Sequence, residues 1–305
     1  MNKTLEVLKS IYKPYRYTIK NKSIIIETTS GNYVLKEKGE KDIKELYAYL
    51  SSRAFTNFAP LVDGERKDLN VFNYIEDIET PKEQKASDLV NVVASLHNKT
   101  TYFKEVSEEN YHEIFDNIND NILHLKDYYQ NLILEIEKEI YMAPSHYELI
   151  RNSSKIMSAL EFCKEELLNW YELVKKTNKQ RVALIHNNLE IDHLLKGEQD
   201  VLISWDKAKI DSPVLDLIQF YQKNYLDTDF EVLFDKYNER YPLTADEKKL
   251  FFVIISIPPK VLLDESEFNN CKKVRVALDY LYKTEMLVRP YYTVEEKEQE
   301  SNFHE

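Results

Sequence analysis

Residues 181–219 read RVALIHNNLEIDHLLKGEQDVLISWDKAKIDSPVLDLIQ, the most informative stretch of the chain. The apolar, β-branched run at 182–185 predicts a short strand that ends on His186. After a polar loop, two apolar segments at 194–195 and 201–205 flank a Lys-Gly-Glu-Gln-Asp turn, which predicts a hairpin that ends in a second strand. Ser212 and Pro213 then fit the N-cap and the first position of a helix.

A kinase catalytic loop followed by its metal-binding segment has the same order of elements. The aminoglycoside/choline phosphotransferase-type kinases carry H-G-D-L-x-x-x-N and two apolar residues, then I-D-W-(D/E)-x-A, and then P-x-x-D-L. The corresponding letters here are H-N-N-L-E-I-D-H-L-L, I-S-W-D-K-A and P-V-L-D-L. The stretch therefore resembles this family in order, spacing and apolar context.

The reactive positions differ from the family pattern. The family's base aspartate corresponds to Asn188, its metal-ligating asparagine to His193 and its metal-ligating aspartate to Ser204. Six other positions keep the family's residue type: His186, Leu189, Trp205, Asp206, Pro213 and Asp216. The resemblance implies that Asp216 has a structural role, because in related kinases this aspartate accepts hydrogen bonds from the loop backbone. We interpret the segment as a kinase-like loop whose catalytic carboxylates have been replaced.

The resemblance implies an α+β, protein-kinase-like fold with two lobes. The first lobe, residues 1–77, would hold an antiparallel five-stranded sheet, and the second, residues 78–292, would be mostly helical. Residues 293–305 are acidic and polar and predict a disordered tail. Within these limits, patterning predicts a leading helix with Leu5, Leu8 and Ile11, strands at 15–19, 23–28, 32–36, 59–62 and 70–75, and helices at 41–54, 83–100, 214–226, 229–239, 245–256 and 266–286.

Four residues are candidates for a nucleotide site in this frame. Lys36 ends the third predicted strand, where kinases place the lysine that contacts the phosphates. The resemblance implies Glu45 as its ion-pair partner, with Glu40 as the weaker choice. Tyr74 lies in the segment that would be the hinge beside an adenine, and Asp206 follows the metal-binding position. These residues would bind ATP, with magnesium, if the site is intact.

The glycine content limits how such a site can work. A phosphate-cradling loop needs glycines, so that backbone N–H groups can approach the phosphates. The sequence has 4 glycines, all isolated, and no G-x-G. The turn at the position of the glycine-rich loop reads Lys20-Asn21-Lys22, which is either a solvated hairpin tip or a pair of lysines that meet phosphates electrostatically. Any nucleotide site must therefore work without that loop.

The three replaced residues weaken phosphoryl transfer. The amide of Asn188 cannot accept a proton, and general-base catalysis contributes roughly 10²–10⁴-fold. Magnesium prefers hard oxygen ligands, so the imidazole of His193 is a poor ligand, and the Ser204 hydroxyl carries no charge. Rescue would require Asp192 or Asp206 to be re-aimed toward the metal.

Histidines offer a different chemistry in the same segment. A cluster of His186, His193, Asp192 and Asp206 would suit a transition metal, although the spacing between the two histidines is not diagnostic. The alternative is that His186 bonds a loop carbonyl and His193 fills the vacated metal position. His97, in the Leu-His-Asn-Lys-Thr end of the predicted helix 83–100, is interpreted as a buried structural histidine.

Composition narrows the cellular context. Acidic residues (53) outnumber basic ones (41), and the net charge of −12 disfavours nucleic acid as a partner. The two cysteines lie far apart without metal spacing, which is typical of a reduced intracellular protein. The longest apolar run, FFVIISI at 251–257, is too short to cross a bilayer, and the N-terminus lacks the apolar core of a signal peptide. We expect a cytoplasmic protein without a membrane partner.

Three functions fit this sequence. The first is a pseudokinase with a binding or structural role, for which certain kinase-like spore-coat proteins similar to this family are an analogy. The second is an active small-molecule phosphotransferase that uses ATP on a hydroxylated or cationic substrate. The third is a nucleotide or metabolite sensor without chemistry. The partner would be a protein or a small-molecule ligand.

Overall fold

The computed structural model describes residues 12–20, 23–63 and 69–302 of the chain. The predicted leading helix and the Asn21-Lys22 part of the first turn lie outside the described residues. The chain divides into two compact units. The first comprises Met1–Tyr102, Ala183–Asp216 and Lys236–Tyr241, and the second comprises Phe103–Val182, Leu217–Asp235 and Pro242–Glu305.

The first unit differs from the predicted lobe of residues 1–77. It also contains the helix Lys82–Thr100 and the segment from Ala183 to Asp216, which we call the loop segment. The physical reason is that long-range polar contacts join these segments, as between His97 and Asp216. The predicted boundary after residue 77 followed from chain order alone.

A five-stranded antiparallel sheet forms the first part of this unit, as predicted. Its strands are β1 (Arg16–Lys20), β2 (Ser23–Thr28), β3 (Gly31–Glu37), β4 (Leu61–Asp63) and β5 (Leu69–Asn73), in the order β1-β2-β3-β5-β4. Alternation along β2 shows why the sheet forms, because Ile24, Ile26 and Thr28 are buried while the residues between them are half-exposed. The buried face forms one apolar cluster with Leu35, Leu69 and Val71.

Helix α1 (Ile43–Ser52) follows the third strand. Asp42 caps it, because its carboxylate accepts hydrogen bonds from the N–H groups of Lys44 at 2.9 Å and Glu45 at 3.3 Å. Its buried residues, Ile43, Leu46, Tyr47 and Leu50, recur at helical spacing and define a single apolar stripe. This stripe fixes which side chains of α1 point away from the core.

The loop segment contains short elements. Strand β7 (Lys179–Ile185) leads to the 3₁₀ turn Ile191–His193, and β8 (Leu194–Leu195) pairs with β9 (Val201–Leu202) as the predicted hairpin. A second 3₁₀ turn, Trp205–Lys207, is followed by β10 (Lys209–Asp211), which pairs antiparallel with the end of β7.

The predicted strand at 201–205 is wrong in its second half. It ends at Leu202, because Ser204 adopts a left-handed conformation with φ +69° that an extended strand cannot contain. The chain then turns, and the buried Trp205 ring donates its Nε1–H to the Leu202 carbonyl at 2.8 Å. This turn changes the direction in which Asp206 points.

Helices make up most of the rest of the described chain. They are α2 (Lys82–Thr100), α3 (Glu108–Ile136), α4 (Pro144–Arg151), α5 (Ser153–Val174), α6 (Val214–Asn224), α7 (Phe230–Arg240), α8 (Ala245–Ser256) and α9 (Glu267–Asn302), and a short strand β6 (Tyr102–Glu105) follows α2. In the second unit they bury a core that includes Leu160, Leu167, Trp170 and Val253. No helix among the described residues is long and apolar enough to cross a membrane. The predicted α+β class is confirmed.

The last helix corrects a further prediction. Residues 293–302 continue α9, whereas their polar composition predicted disorder from residue 293. The segment TVEEKEQESN is rich in glutamate, lysine and glutamine, which are good helix formers, so its composition favours continuation of an existing helix.

Candidate functional site

Asp216 holds the loop that follows β7. Its side chain is completely buried. One carboxylate oxygen accepts a hydrogen bond from the His186 N–H at 2.7 Å, and the other accepts one from the Asn187 N–H, also at 2.7 Å. The contact expected of Asp216 is therefore present. Two backbone donors aimed at one buried carboxylate fix the direction of the chain where the strand becomes the loop.

A histidine on α2 completes this arrangement. The Nε2 atom of His97 lies 3.1 Å from Asp216, and its Nδ1 atom lies 2.6 Å from the Tyr237 hydroxyl. The network assigns the proton to Nε2, which donates to Asp216, while the Tyr237 hydroxyl donates to Nδ1. His97 is thus the buried structural histidine that the sequence suggested. Tyr237 was missed, because an aromatic residue on an amphipathic helix gives no signal of a polar contact.

The loop backbone explains the residue at the family's glycine position. Asn187 has φ +56°, in the left-handed region where asparagine is enriched among residues other than glycine. Its side-chain amide donates to the Lys207 carbonyl at 3.2 Å. The loop therefore keeps its shape without a glycine.

His186 and His193 both have one ring nitrogen bonded to a backbone carbonyl. Nε2 of His186 donates to the Ile203 carbonyl at 2.8 Å, and Nδ1 of His193 donates to the Asn188 carbonyl at 2.7 Å. Burial lowers the pKa of His186 to about 4, although the Asp216 charge acts in the opposite direction. His186 is therefore neutral at physiological pH, and its buried Nδ1 atom has no hydrogen-bond partner in the structure.

Lys36 pairs with Asp206. The Nζ atom of Lys36 lies 2.6 Å from the Asp206 carboxylate, and the two side chains are 24% and 48% exposed. Solvent screens a pair this exposed, so it contributes about 0.2–1 kcal/mol to stability. The pair affects ligand binding more than stability, because the Lys36 ammonium group that was expected to bind phosphates already has an anionic partner.

The predicted Lys36–Glu45 pair is not formed, and Glu45 is exposed on α1. At 100° per residue, Glu45 lies about 100–160° around the helix from the residues of the buried stripe. It therefore lies on the exposed side of α1. Glu40, the weaker choice, precedes the helix and is also exposed.

Tyr74 and Asp192 do not join this group. The Tyr74 N–H donates to the Asn32 carbonyl at 3.0 Å, which continues the pairing of the sheet, and its side chain is exposed. Asp192 is exposed in the first 3₁₀ turn. Within the described residues, no group of three or more His, Cys, Asp and Glu side chains is placed to hold a metal ion.

The residues present do not fit magnesium. The donors at the positions implied by the resemblance are an imidazole, His193, and a neutral hydroxyl, Ser204, and magnesium favours neither over carboxylate and carbonyl oxygens. The nearby carboxylate, Asp206, is bonded to Lys36.

A second polar cluster, missed by the sequence analysis, joins the segment after β5 to the hairpin. Asp77 accepts hydrogen bonds from the Lys85 ammonium at 2.6 Å and from the Lys196 N–H at 2.8 Å. The Lys196 ammonium bonds Asp88 at 2.6 Å and Asp200 at 2.7 Å. We call these five residues the hinge clamp.

The hinge clamp should stabilise the protein within a defined pH range. Burial raises the pKa of Asp77, but the hydrogen bonds from Lys196 and Lys85 outweigh burial and lower it below its ordinary value. Its contribution is then fully present above the unfolded pKa of about 4 and is lost as pH falls through the lower folded pKa. Burial lowers the pKa of Lys196, but Asp200 and Asp88 outweigh burial and raise it. That contribution is present below about pH 10 and is lost as pH rises further.

We predict that Asp77→Asn lowers the free energy of unfolding by about 1 kcal/mol at pH 7, since it removes a charged acceptor of two hydrogen bonds. Urea unfolding of both proteins at pH 7, 4 and 2.5 measures the difference, which should shrink toward zero at pH 2.5. Glu76→Gln, which changes the neighbouring exposed acid, is the matched control. A difference that stays constant across these pH values would contradict this role for Asp77.

Solved structures resemble most of the chain. An aminoglycoside phosphotransferase from Alicyclobacillus acidocaldarius matches with a TM-score of 0.67 at 12% identity, covering 93% of this chain and 93% of that chain. The AMP-bound complex of a spectinomycin phosphotransferase matches with a TM-score of 0.55 at 13% identity, covering 93% of this chain and 97% of that chain. No family model and no curated protein matches the sequence. At these identities the likeness shows the fold.

Proposed function

Since the chain has the fold of aminoglycoside phosphotransferases, we propose that it is a pseudokinase, a protein that keeps the kinase-like loop but binds its ligand or protein partner without transferring phosphate. The shape of the loop depends on Asp216, which is in place. Phosphoryl transfer depends on carboxylates at the positions of Asn188 and Ser204, where this chain has none.

The observation that carries the proposal is the loop itself. Asp216 accepts hydrogen bonds from the backbone N–H groups of His186 and Asn187 and also contacts His97, which supports the assignment of the next residue, Asn188, to the position of the base. An amide there cannot accept the proton of an attacking hydroxyl, and loss of a general base removes roughly 10²–10⁴ in rate. His186 does not replace it, because its Nε2–H is bonded to a carbonyl and its ring is completely buried.

The second candidate is an active phosphotransferase with rearranged ligands. One observation favours it, since Asp206 places a carboxylate beside Lys36, two residues after the position at which the family has its metal ligand. This activity would require Asp206 to leave Lys36 and bind the metal alone.

A turnover assay on the full chain separates the two candidates. The wild-type protein is incubated with magnesium and γ-labelled ATP, with water, choline and a panel of aminoglycosides as acceptors. We expect label transfer equal to that of Asp206→Ala, which removes the carboxylate bonded to Lys36. Magnesium-dependent transfer by the wild type that disappears in Asp206→Ala would overturn the proposal and establish the second candidate.

A further inference from the structure

Three residues of the sheet form a polar row on the face that carries Lys36. Lys20 on β1 is paired with Ser23 on β2, and Ser23 is paired with Lys36 on β3. Residues directly opposite each other in neighbouring antiparallel strands project from the same face. The contact between Lys36 and Asp206 identifies that face. Lys20, Ser23 and Lys36 therefore point to the same side of the sheet as Asp206.

The spacing of the two lysines suits a ligand with more than one negative charge. Neighbouring strands lie about 4.8 Å apart, so the Cα atoms of Lys20 and Lys36 are about 10 Å apart across the row. Each lysine carries its charge on a flexible four-carbon stem. Two ammonium groups with this separation can contact adjacent phosphates of one chain, and the Ser23 hydroxyl lies between them.

The electrostatics of a neighbouring residue supports this orientation of Lys20. Burial raises the pKa of Asp77, and hydrogen bonds from Lys196 and Lys85 lower it, but the Lys20 charge adds to the lowering. Lys20 therefore lies close enough to the segment after β5 for its charge to act there.

The usual means of binding phosphates are missing from this part of the chain. The sequence at the β1–β2 turn, Lys-Asn-Lys-Ser, has no glycine to bring backbone N–H groups close to a phosphate. The residues present also do not fit magnesium, as shown above. Positive charge for phosphates must then come from side chains, and this face of the sheet supplies it from Lys20 and Lys36.

Asp206 has a defined part in such a site. Its carboxylate contacts Lys36 at 2.6 Å, the distance at which a phosphate oxygen would bond the same ammonium group. A phosphate that binds Lys36 must take the place of this carboxylate and then lies beside its negative charge. Asp206 should therefore weaken phosphate binding.

We propose that Lys20 and Lys36 bind a polyphosphate group, such as the diphosphate of a nucleotide, without a divalent cation, and that Asp206 is the counter-ion that the ligand displaces. This inference rests on the proposed function, since catalysis would require the metal that this site does without. It assigns a binding role to Lys20, for which the fold alone gives no reason.

Titration calorimetry of the full chain with ADP and with pyrophosphate, each in EDTA and in excess magnesium, tests the proposal. We expect both ligands to bind in EDTA and magnesium to weaken binding, because it neutralises the phosphates. Lys20→Gln should weaken ADP and pyrophosphate binding about 5–10-fold, the loss of roughly one ion pair, and Asp206→Asn should strengthen it by a similar factor. Orthophosphate, which cannot span both lysines, should respond little to Lys20→Gln.

Lys104→Gln, which removes one exposed strand lysine in the second unit, is the matched control and should leave binding unchanged. Lack of binding in EDTA, an absolute need for magnesium, or equal affinities of wild type and Lys20→Gln would each overturn the inference. Because ADP has no γ-phosphate to donate, this measurement reports binding alone. Its failure is therefore distinct from failure of the proposed function, which the ATP turnover assay reports.

Discussion

Asp216→Asn should lower the free energy of unfolding by about 3 kcal/mol, the largest stability effect that we expect from a single substitution in the loop segment. The carboxylate accepts hydrogen bonds from two backbone N–H groups and lies 3.1 Å from the His97 ring. Asparagine has nearly the same shape but replaces one acceptor oxygen with an NH₂ donor, which would face an N–H group in a site closed to water. At 2–4 °C per kcal/mol, the melting temperature should fall by about 6–12 °C.

The matched control is Asp192→Asn, which makes the same chemical change at an exposed acid in the same segment. It should leave the melting temperature within about 1 °C of the wild type, since surface substitutions change stability little. Tyr237→Phe should have an intermediate effect of about 1 kcal/mol, because it removes only the hydroxyl that donates to His97. Equal melting temperatures for Asp216→Asn and Asp192→Asn would show that Asp216 is an ordinary acid in the first turn of a helix.

The role of Asp216 was predictable because the resemblance implied it, and the Pro-x-x-Asp-Leu motif that carries this part of the resemblance is intact. The sheet was predictable from the residues themselves, since alternating apolar residues such as Ile24 and Ile26 define both the strand and its buried face. Most helix and strand boundaries then followed to within a few residues, but the last helix continues to Asn302 whereas its predicted end was residue 286.

The partner of Lys36 was not predicted, for two separate reasons. The spacing of Ile43, Leu46, Tyr47 and Leu50 already places Glu45 on the exposed side of α1. The family resemblance implied Glu45 as the partner of Lys36, whereas the helical periodicity argues against that pair. The Asp206 contact, in contrast, depends on the left-handed conformation of Ser204. Serine has no strong preference for that region, so the local sequence gave no sign that the strand would end there.

The contacts of the hinge clamp could not be predicted from the sequence. Lys196 contacts Asp88, 108 residues earlier in the chain, and Asp77, 119 residues earlier. Charged residues separated by such distances carry no periodic pattern that connects them. Only the fold brings them together, so the sequence alone does not identify this cluster.

Restoring the three reactive residues together should create magnesium-dependent ATP turnover, whereas Asn188→Asp alone should not. The triple variant Asn188→Asp, His193→Asn and Ser204→Asp supplies a base, a carbonyl ligand and a carboxylate ligand. The backbone accepts these changes, because Ser204 has φ +69° and aspartate is among the residues that tolerate this region. An asparagine at position 193 can also donate to the position 188 carbonyl, as the His193 ring does now.

The double variant His193→Asn and Ser204→Asp is the control that separates metal binding from base catalysis. The expected rate of the triple variant is at least about 100-fold above that of this double variant, the lower end of the contribution of a general base. By calorimetry the double variant should bind magnesium with ATP, and by release of labelled phosphate it should remain near background. The effects of residues that act as a unit are strongly non-additive, so we do not expect each single substitution to give a third of the rate increase of the triple variant.

Asn188→Asp is the most informative member of this series. If it alone produces magnesium-dependent turnover, then His193, Ser204 and Asp206 already hold the metal, and the protein lacks only its base. If the triple variant folds with the wild-type melting temperature and still shows no turnover, the missing carboxylates are not the reason for inactivity. The Lys36–Asp206 pair would then be the obstacle, because it holds the phosphate-anchoring ammonium group in a contact that catalysis must break. Adding Asp206→Asn to the triple variant tests that explanation directly, since it removes the charge and leaves the shape of the side chain.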